Sequence, residues 1–136
     1  MTRLDYQVIE DHVAPGARVL DVGCGEGDLL KQLMDEKSVD GRGIDIDSEA
    51  ARKCIARGIP VYNGDMLEGM AMFADDSFDC VILSQTLQQT EKPAVVISEM
   101  LRVGRRAIIS FPNFGQFSIR LNLLATGRMQ IGRAHV

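Results

Sequence analysis

Residues 17–30 read ARVLDVGCGEGDLL: an apolar run, a carboxylate, three alternate glycines, then leucines at helical spacing. That order constrains the fold more than any other stretch of the chain. A short buried strand that hands over to a helix through a tight turn is the unit of a parallel α/β sheet. The flanking segments continue the alternation. Ahead of it, LDYQVIEDHV places Leu4, Val8, Ile9 and Val13 on one helical face. GEGDLLKQLMDEK reads as a helix with Leu29, Leu30, Leu33 and Met34 on one side, and VDGRGIDI as a strand ending at Asp45. DSEAARKCIARG is a helix capped by Asp47 or Ser48 and stopped by Gly58. IPVYNGD is a third strand ending near Asp65, MLEGMAMFADDS a weak helix or loop, and FDCVILSQ a fourth strand. KPAVVISEMLRVG is a helix with Pro93 in its first turn, RRAIISF a fifth strand, and GQFSIRLNLLATG the start of a further helix. Strands this apolar belong to a sheet covered on both sides. The expected fold class is α/β, a doubly wound, mostly parallel sheet with helices on both faces.

In such a sheet, ligands lie beyond the carboxyl ends of the strands. The DVGCGEG turn stands at that edge, where Gly23 and Gly25 put no side chain in a ligand's way. Amides beyond Gly27, at the start of the next helix, face the same space with partial positive charge. The spacing separates nucleotide classes. A dinucleotide fingerprint needs its third glycine at position 28, but Asp28 stands there and would repel a pyrophosphate. No Gly-Lys-Ser/Thr occurs, so a Walker loop is absent, and a nicotinamide dehydrogenase is disfavoured.

Three carboxylates end three strands. Asp45 follows Gly27 by 18 residues, close to the spacing at which an acid accepts both ribose hydroxyls, with capping of the next helix as its alternative role. Asp21 closes an apolar strand, where an unpaired charge is costly; it would accept from loop amides or face a cationic amine. Asp65 is placed to accept from an exocyclic adenine amine. Together they describe an adenosine with a positively charged tail.

The net charge of −4 leaves no electrostatic footprint for a phosphate backbone, so a nucleic-acid partner is not expected. Arg102, Arg105, Arg106, Arg120 and Arg128 read as a solvated helix face with helix C-terminal charge. Cys24, Cys54 and Cys80 show neither metal-ligand spacing nor an even count, so neither a metal nor a disulfide framework is expected. The first residues match neither a signal nor a transit peptide, and no apolar run is long enough to span a bilayer. A reducing cytoplasm is the expected compartment. The closing IGRAHV is what the start of a common sequencing adapter, ATC GGA AGA GCA CAC GTC, translates to. The expectation is a domain over residues 1–129, incomplete at its C-terminus, and a non-native tail over 130–136. The fifth strand would then be an open edge.

VLDVGCGEG, GIDID, NGD and FDCVILSQTLQ together resemble the successive motifs of the class I S-adenosylmethionine-dependent methyltransferase fold, over nearly all of residues 15–115. The resemblance implies S-adenosylmethionine as cofactor. Asp21, Gly23, Cys24, Gly25 and Gly27 would hold its methionine portion, Asp45 the ribose hydroxyls and Asp65 the adenine amine, with Ile46 and Met66 packed on the base. More closely, VILSQTLQQTEKP and IISFPNFGQFSIRLNLLATGRM resemble the MetW family of methionine-biosynthesis proteins, from about Leu4 to Met129. Members of that family look like methyltransferases, yet they are associated with homoserine O-acetyltransferase, whose activity they support in some bacteria. That enzyme is the implied partner.

Methyl transfer from a sulfonium needs alignment more than acid–base residues. SQTLQQT, expected to face the methyl group, offers Gln85, Gln88 and Gln89 with hydroxyls on Ser84, Thr86 and Thr90, and no His, Lys or Glu before Glu91. No catalytic residue is assigned. Phe111, Phe114 and Phe117, around Pro112 and Asn113, read as core packing. Two functions stay open: a cofactor-binding accessory protein of methionine synthesis, and a methyltransferase acting on an unidentified small molecule.

Overall fold

The computed structural model describes residues 3–83, 91–111, 117–123 and 129–135, with side chains described over 6–83 and 91–109. Helix α1 (Arg3–Asp11) precedes β1 (Arg18–Val22), α2 (Asp28–Lys37), β2 (Asp40–Asp45), α3 (Ser48–Ala56) and β3 (Val61–Asn63). Then come α4 (Met66–Ala71), β4 (Cys80–Leu83), α5 (Pro93–Val103), β5 (Arg106–Phe111), β6 (Phe117–Leu123) and β7 (Met129–His135). The strands lie in the order β3-β2-β1-β4-β5-β6-β7. The first five are parallel, with Val19 opposite Gly41 on one side and Cys80 on the other. The order reverses between β1 and β4, the place where such sheets hold ligands.

Alternation along the central strands explains the two helical layers. Val19, Ile82 and Ile108 point to one side and pack with Ile9, Leu29, Leu30, Leu33 and Cys54 of α1, α2 and α3. Leu20, Val22, Val81, Leu83, Ala107 and Ile109 point to the other, against Met70 of α4 and Val96, Met100 and Leu101 of α5. Leu30 and Leu33 have no exposed surface, and each contributes about 1.5–3 kcal/mol by leaving water. Asp21, in phase with Val19, shares the face of the first three helices.

Helix caps settle two open readings. Asp47, rather than Ser48, caps α3, its carboxylate accepting from the amides of Glu49 at 2.9 Å and Ala50 at 3.3 Å. Asp65 caps α4 through Oδ2, which accepts from the amides of Leu67 at 2.9 Å and Glu68 at 3.1 Å. That cap is what turns MLEGMA into a helix despite Gly69. Asp65→Ala is expected to lose about 1 kcal/mol and a few degrees of melting temperature, with Asp65→Asn losing less. Circular dichroism melts check both; equal stability of all three proteins would remove the cap from this picture.

Two expectations need correction. FSIRLNL forms a strand, not a helix, and pairs antiparallel with β5, Ile109 opposite Ile119. β5 is therefore not the edge of the sheet. The segment alternates apolar and polar residues strictly, and the unpaired backbone of β5 offers a template for just that pattern. The arginines are also not one solvated face. Arg102 donates to Glu99, Asp75 and the carbonyls of Met70 and Phe73, tying the end of α4 to α5, while Arg106 opens β5. Among the described residues no helix is long and apolar enough to cross a membrane.

Candidate functional site

The turn after β1 is fixed by the end of β2. The amides of Gly23 and Cys24 both donate to the Ile44 carbonyl, at 2.7 and 3.0 Å. The Gly25 amide donates to Asp45 Oδ2 at 2.7 Å, and Asp45 Oδ1 accepts from the Asp47 amide at 2.8 Å. One carboxylate thus pins the glycine turn and the entry to α3 together. β3 is clamped to the same point: Asn63 Nδ2 donates to the carbonyls of Asp45 at 3.0 Å and Ile46 at 3.2 Å.

Two cavities open at this edge. A smaller one, about 130 Å³, is bordered by Gly23, Asp45, Ile46, Gly64, Asp65 and Met66. Ile46 is 74% exposed at its lip, an apolar side chain left in water beside two carboxylates. A larger one, about 320 Å³, is bordered by Tyr6, Asp21, Gly23, Cys24, Gly25 and the start of α2. Gly23 borders both. Four carboxyl groups, of Asp21, Glu26, Asp28 and Asp47, line the larger cavity, and among the described residues no lysine or arginine does. Asp28, at the first position of α2, is paired with Arg57 at 2.7 Å on the outer side.

Asp21 lies at the base of that cavity, 1% exposed, with Oδ1 buried and without a hydrogen-bond partner. Burial, and secondarily the charge of Asp45, pushes its carboxyl up to about 8. Cys24 contributes differently from its neighbours. Its thiol packs beneath the turn, 3.9 Å from the Cys54 sulfur, and burial and the Asp21 charge push it up, so it stays a neutral thiol.

Eight of the nine residues singled out from sequence border one cavity or the other. Gly27 borders neither. A Cβ there would sit 2.7 Å from Ile59 Cδ1 and 2.9 Å from Cys54 Sγ, so its constraint is the packing of α2 on α3. Tyr6 and Asn63 escaped sequence reasoning. Tyr6 falls outside the apolar set of α1, and the bonds of Asn63 depend on the β2–β3 pairing. Gln85, Gln88, Gln89 and their neighbouring hydroxyls, with Pro112, Asn113 and Phe114, lie outside the described residues.

The fold and the position of these cavities define the class I S-adenosylmethionine-dependent methyltransferase architecture. The cyclase SpnF superposes on the chain with a TM-score of 0.67 at 25% identity, covering 79% of this chain and 43% of its own. An S-adenosylmethionine-dependent methyltransferase from Geobacter sulfurreducens, in complex with S-adenosyl-L-homocysteine, gives 0.67 at 20% identity, over 80% of this chain and 48% of its own. The family described as "Methionine biosynthesis protein MetW" matches residues 3–134, and the chain belongs to that family. A bifunctional methionine biosynthesis protein MetXA/MetW of Rhodopirellula baltica is 39% identical over 133 residues, 92% of this chain and 21% of the relative. A ubiquinone biosynthesis O-methyltransferase of Hahella chejuensis is 35% identical over 108 residues, 76% of this chain and 44% of the relative. The chain thus spans between about a fifth and a half of the curated relatives it matches.

Proposed function

We propose that the chain binds S-adenosylmethionine and, as a methyltransferase-like protein of methionine biosynthesis, supports or regulates homoserine O-acetyltransferase. The observation that carries the cofactor assignment is Asp21: a buried carboxyl with an unpartnered oxygen, in a cavity lined among the described residues by three further carboxyl groups and by no lysine or arginine. Such a cavity fits a cation and rejects a pyrophosphate. S-Adenosylmethionine brings a sulfonium and an ammonium, and when bound it supplies an electrophilic methyl group. Asp21 with the turn of Gly23, Cys24 and Gly25 would hold the methionine portion. Asp45, whose lone pairs are not exhausted by two amides, would accept the ribose hydroxyls. Asp65 Oδ1, which takes no part in the cap, would accept the adenine amine, with Ile46 and Met66 on the base. Gly27 would serve the cofactor only by holding the turn.

The partner assignment is supported by the Rhodopirellula baltica relative, in which a MetXA part and a MetW part share one chain. For feedback, cofactor affinity must differ between the free and the complexed protein. The test is the activity of homoserine O-acetyltransferase from the same source, with and without this chain, as S-adenosylmethionine is titrated. Stimulation that responds to the cofactor is expected. No effect and no complex would remove the partner reading and leave methylation of an unidentified small molecule, which the likeness to the Hahella chejuensis O-methyltransferase favours.

A further inference from the structure

The larger cavity at the glycine turn holds a charge imbalance that separates two closely related ligands. Of its four carboxyl groups, Glu26 is paired with Lys53 at 3.4 Å and Asp28 with Arg57 at 2.7 Å, and neither cation borders the cavity. The other two, Asp21 and Asp47, have no cationic partner among the described residues. The Asp47 carboxylate accepts from the amides of Glu49 and Ala50, and Asp21 Oδ1 is buried without a hydrogen-bond partner. Asp45 stands beside them, its carboxylate held by the amides of Gly25 and Asp47. Residues 84–90, SQTLQQT, bring no charged side chain that could offset these acids.

Such charge acts through the wall of the cavity and requires no contact between a carboxylate and the ligand. S-Adenosylmethionine and S-adenosyl-L-homocysteine share adenine, ribose, ammonium and carboxylate. They differ by one methyl group and by the positive charge on sulfur. We infer, on the reading of this site as one for S-adenosylmethionine, that it selects by that charge and holds S-adenosylmethionine in preference to S-adenosyl-L-homocysteine. Burial of the extra methyl group accounts for about fourfold in affinity, and the field of the carboxylates supplies the rest. A protein with that preference reports the supply of methyl donor, and the demethylated product does not readily displace the donor from it.

Calorimetric titration of the full chain compares S-adenosylmethionine, S-adenosyl-L-homocysteine and sinefungin, in which a carbon bearing an ammonium group replaces the methylsulfonium. S-Adenosylmethionine and sinefungin are each expected to bind at least about tenfold tighter than S-adenosyl-L-homocysteine. Asp47→Asn keeps a good helix cap and removes a charge, so the ratio of S-adenosylmethionine to S-adenosyl-L-homocysteine affinity is expected to fall about two- to threefold. Arg57→Gln takes the cation from Asp28, and the ratio is expected to rise by a similar factor. Each ratio compares two ligands on one protein, so a loss of stability that weakens both cancels. S-Adenosyl-L-homocysteine binding as tightly as S-adenosylmethionine overturns the inference and leaves the cofactor reading standing. Sinefungin as weak as S-adenosyl-L-homocysteine also overturns it, by assigning the preference to the methyl group. So does a ratio that neither substitution moves. No binding of any of the three removes the cofactor reading, and the inference with it.

Discussion

Gly27→Ala is expected to lose about 2–5 kcal/mol of stability and to melt roughly 10 °C or more below the parent protein. Gly27 has φ +88°, in the left-handed region, which alone costs an alanine about 1–2 kcal/mol. The added methyl would also press on Ile59 Cδ1 at 2.7 Å and Cys54 Sγ at 2.9 Å, both residues almost wholly buried. Neither can swing into solvent, so α2 and α3 must separate or the turn must unwind. Gly25→Ala is the control. Its φ is +57°, yet no atom of the described residues lies within 4 Å of the new Cβ, so only the left-handed cost of about 1–2 kcal/mol applies. Gly25 borders the larger cavity, however, so its methyl would obstruct a ligand there. The two glycines should thus separate: one substitution chiefly destabilises, the other chiefly weakens binding. Equal melting temperatures for the two variants would contradict the packing role given to Gly27.

Asp45→Ala is expected to weaken S-adenosylmethionine about 100-fold, provided the chain binds that cofactor. Hydrogen bonds to a charged group contribute about 1.5–3 kcal/mol each, and the substitution removes the acceptor for both ribose hydroxyls. It also frees the Gly25 amide from its 2.7 Å bond and the Asp47 amide from its 2.8 Å bond, so the turn and the start of α3 lose their common anchor. Asp45→Asn should recover only part of the loss, because its NH₂ can serve neither amide. Calorimetric titration of the three proteins measures the ratio. An unchanged affinity in Asp45→Ala would show that the ribose lies elsewhere.

The unit from β1 through α2 was legible because its determinants are contiguous: apolar residues, a carboxylate, glycines and leucines within a single stretch. The same holds for Asp45 and Asp65, each marked by the end of a strand. Asp65 also carries a role that its strand-end position did not announce, since one of its oxygens caps α4 while the other takes no part in the cap. What stayed hidden was set by distant residues. Gly27 reads as part of a ligand loop until Ile59 and Cys54, about thirty residues on, come up against it. Asn63 reads only as part of the third strand until β3 pairs with β2 and brings its amide to the Asp45 carbonyl. FSIRLNLLATG carries leucines that suit a helix as well as a strand, and the unpaired side of β5 decides between them. Arg106 belongs by charge to a basic cluster, and only its place at the start of β5 sets two of its N–H groups out of water.

The burial of Asp21 leads to the measurement that bears most directly on the cofactor assignment. With its carboxyl at about 8, Asp21 is mostly protonated at neutral pH in the free protein. Its ionisation opposes folding, so stability should fall as pH rises from about 4 through 8. A cationic ligand reverses the preference, drawing the carboxyl to its charged form and releasing a proton. Calorimetric titration with S-adenosylmethionine, in buffers of different ionisation enthalpy, counts that proton. Release approaching one proton near pH 7 is expected, with affinity rising about 25-fold between pH 6 and 7.5 and both effects absent in Asp21→Asn. Binding with no proton released and no pH dependence would mean that Asp21 does not face the cation, and an absence of binding would contradict the assignment itself.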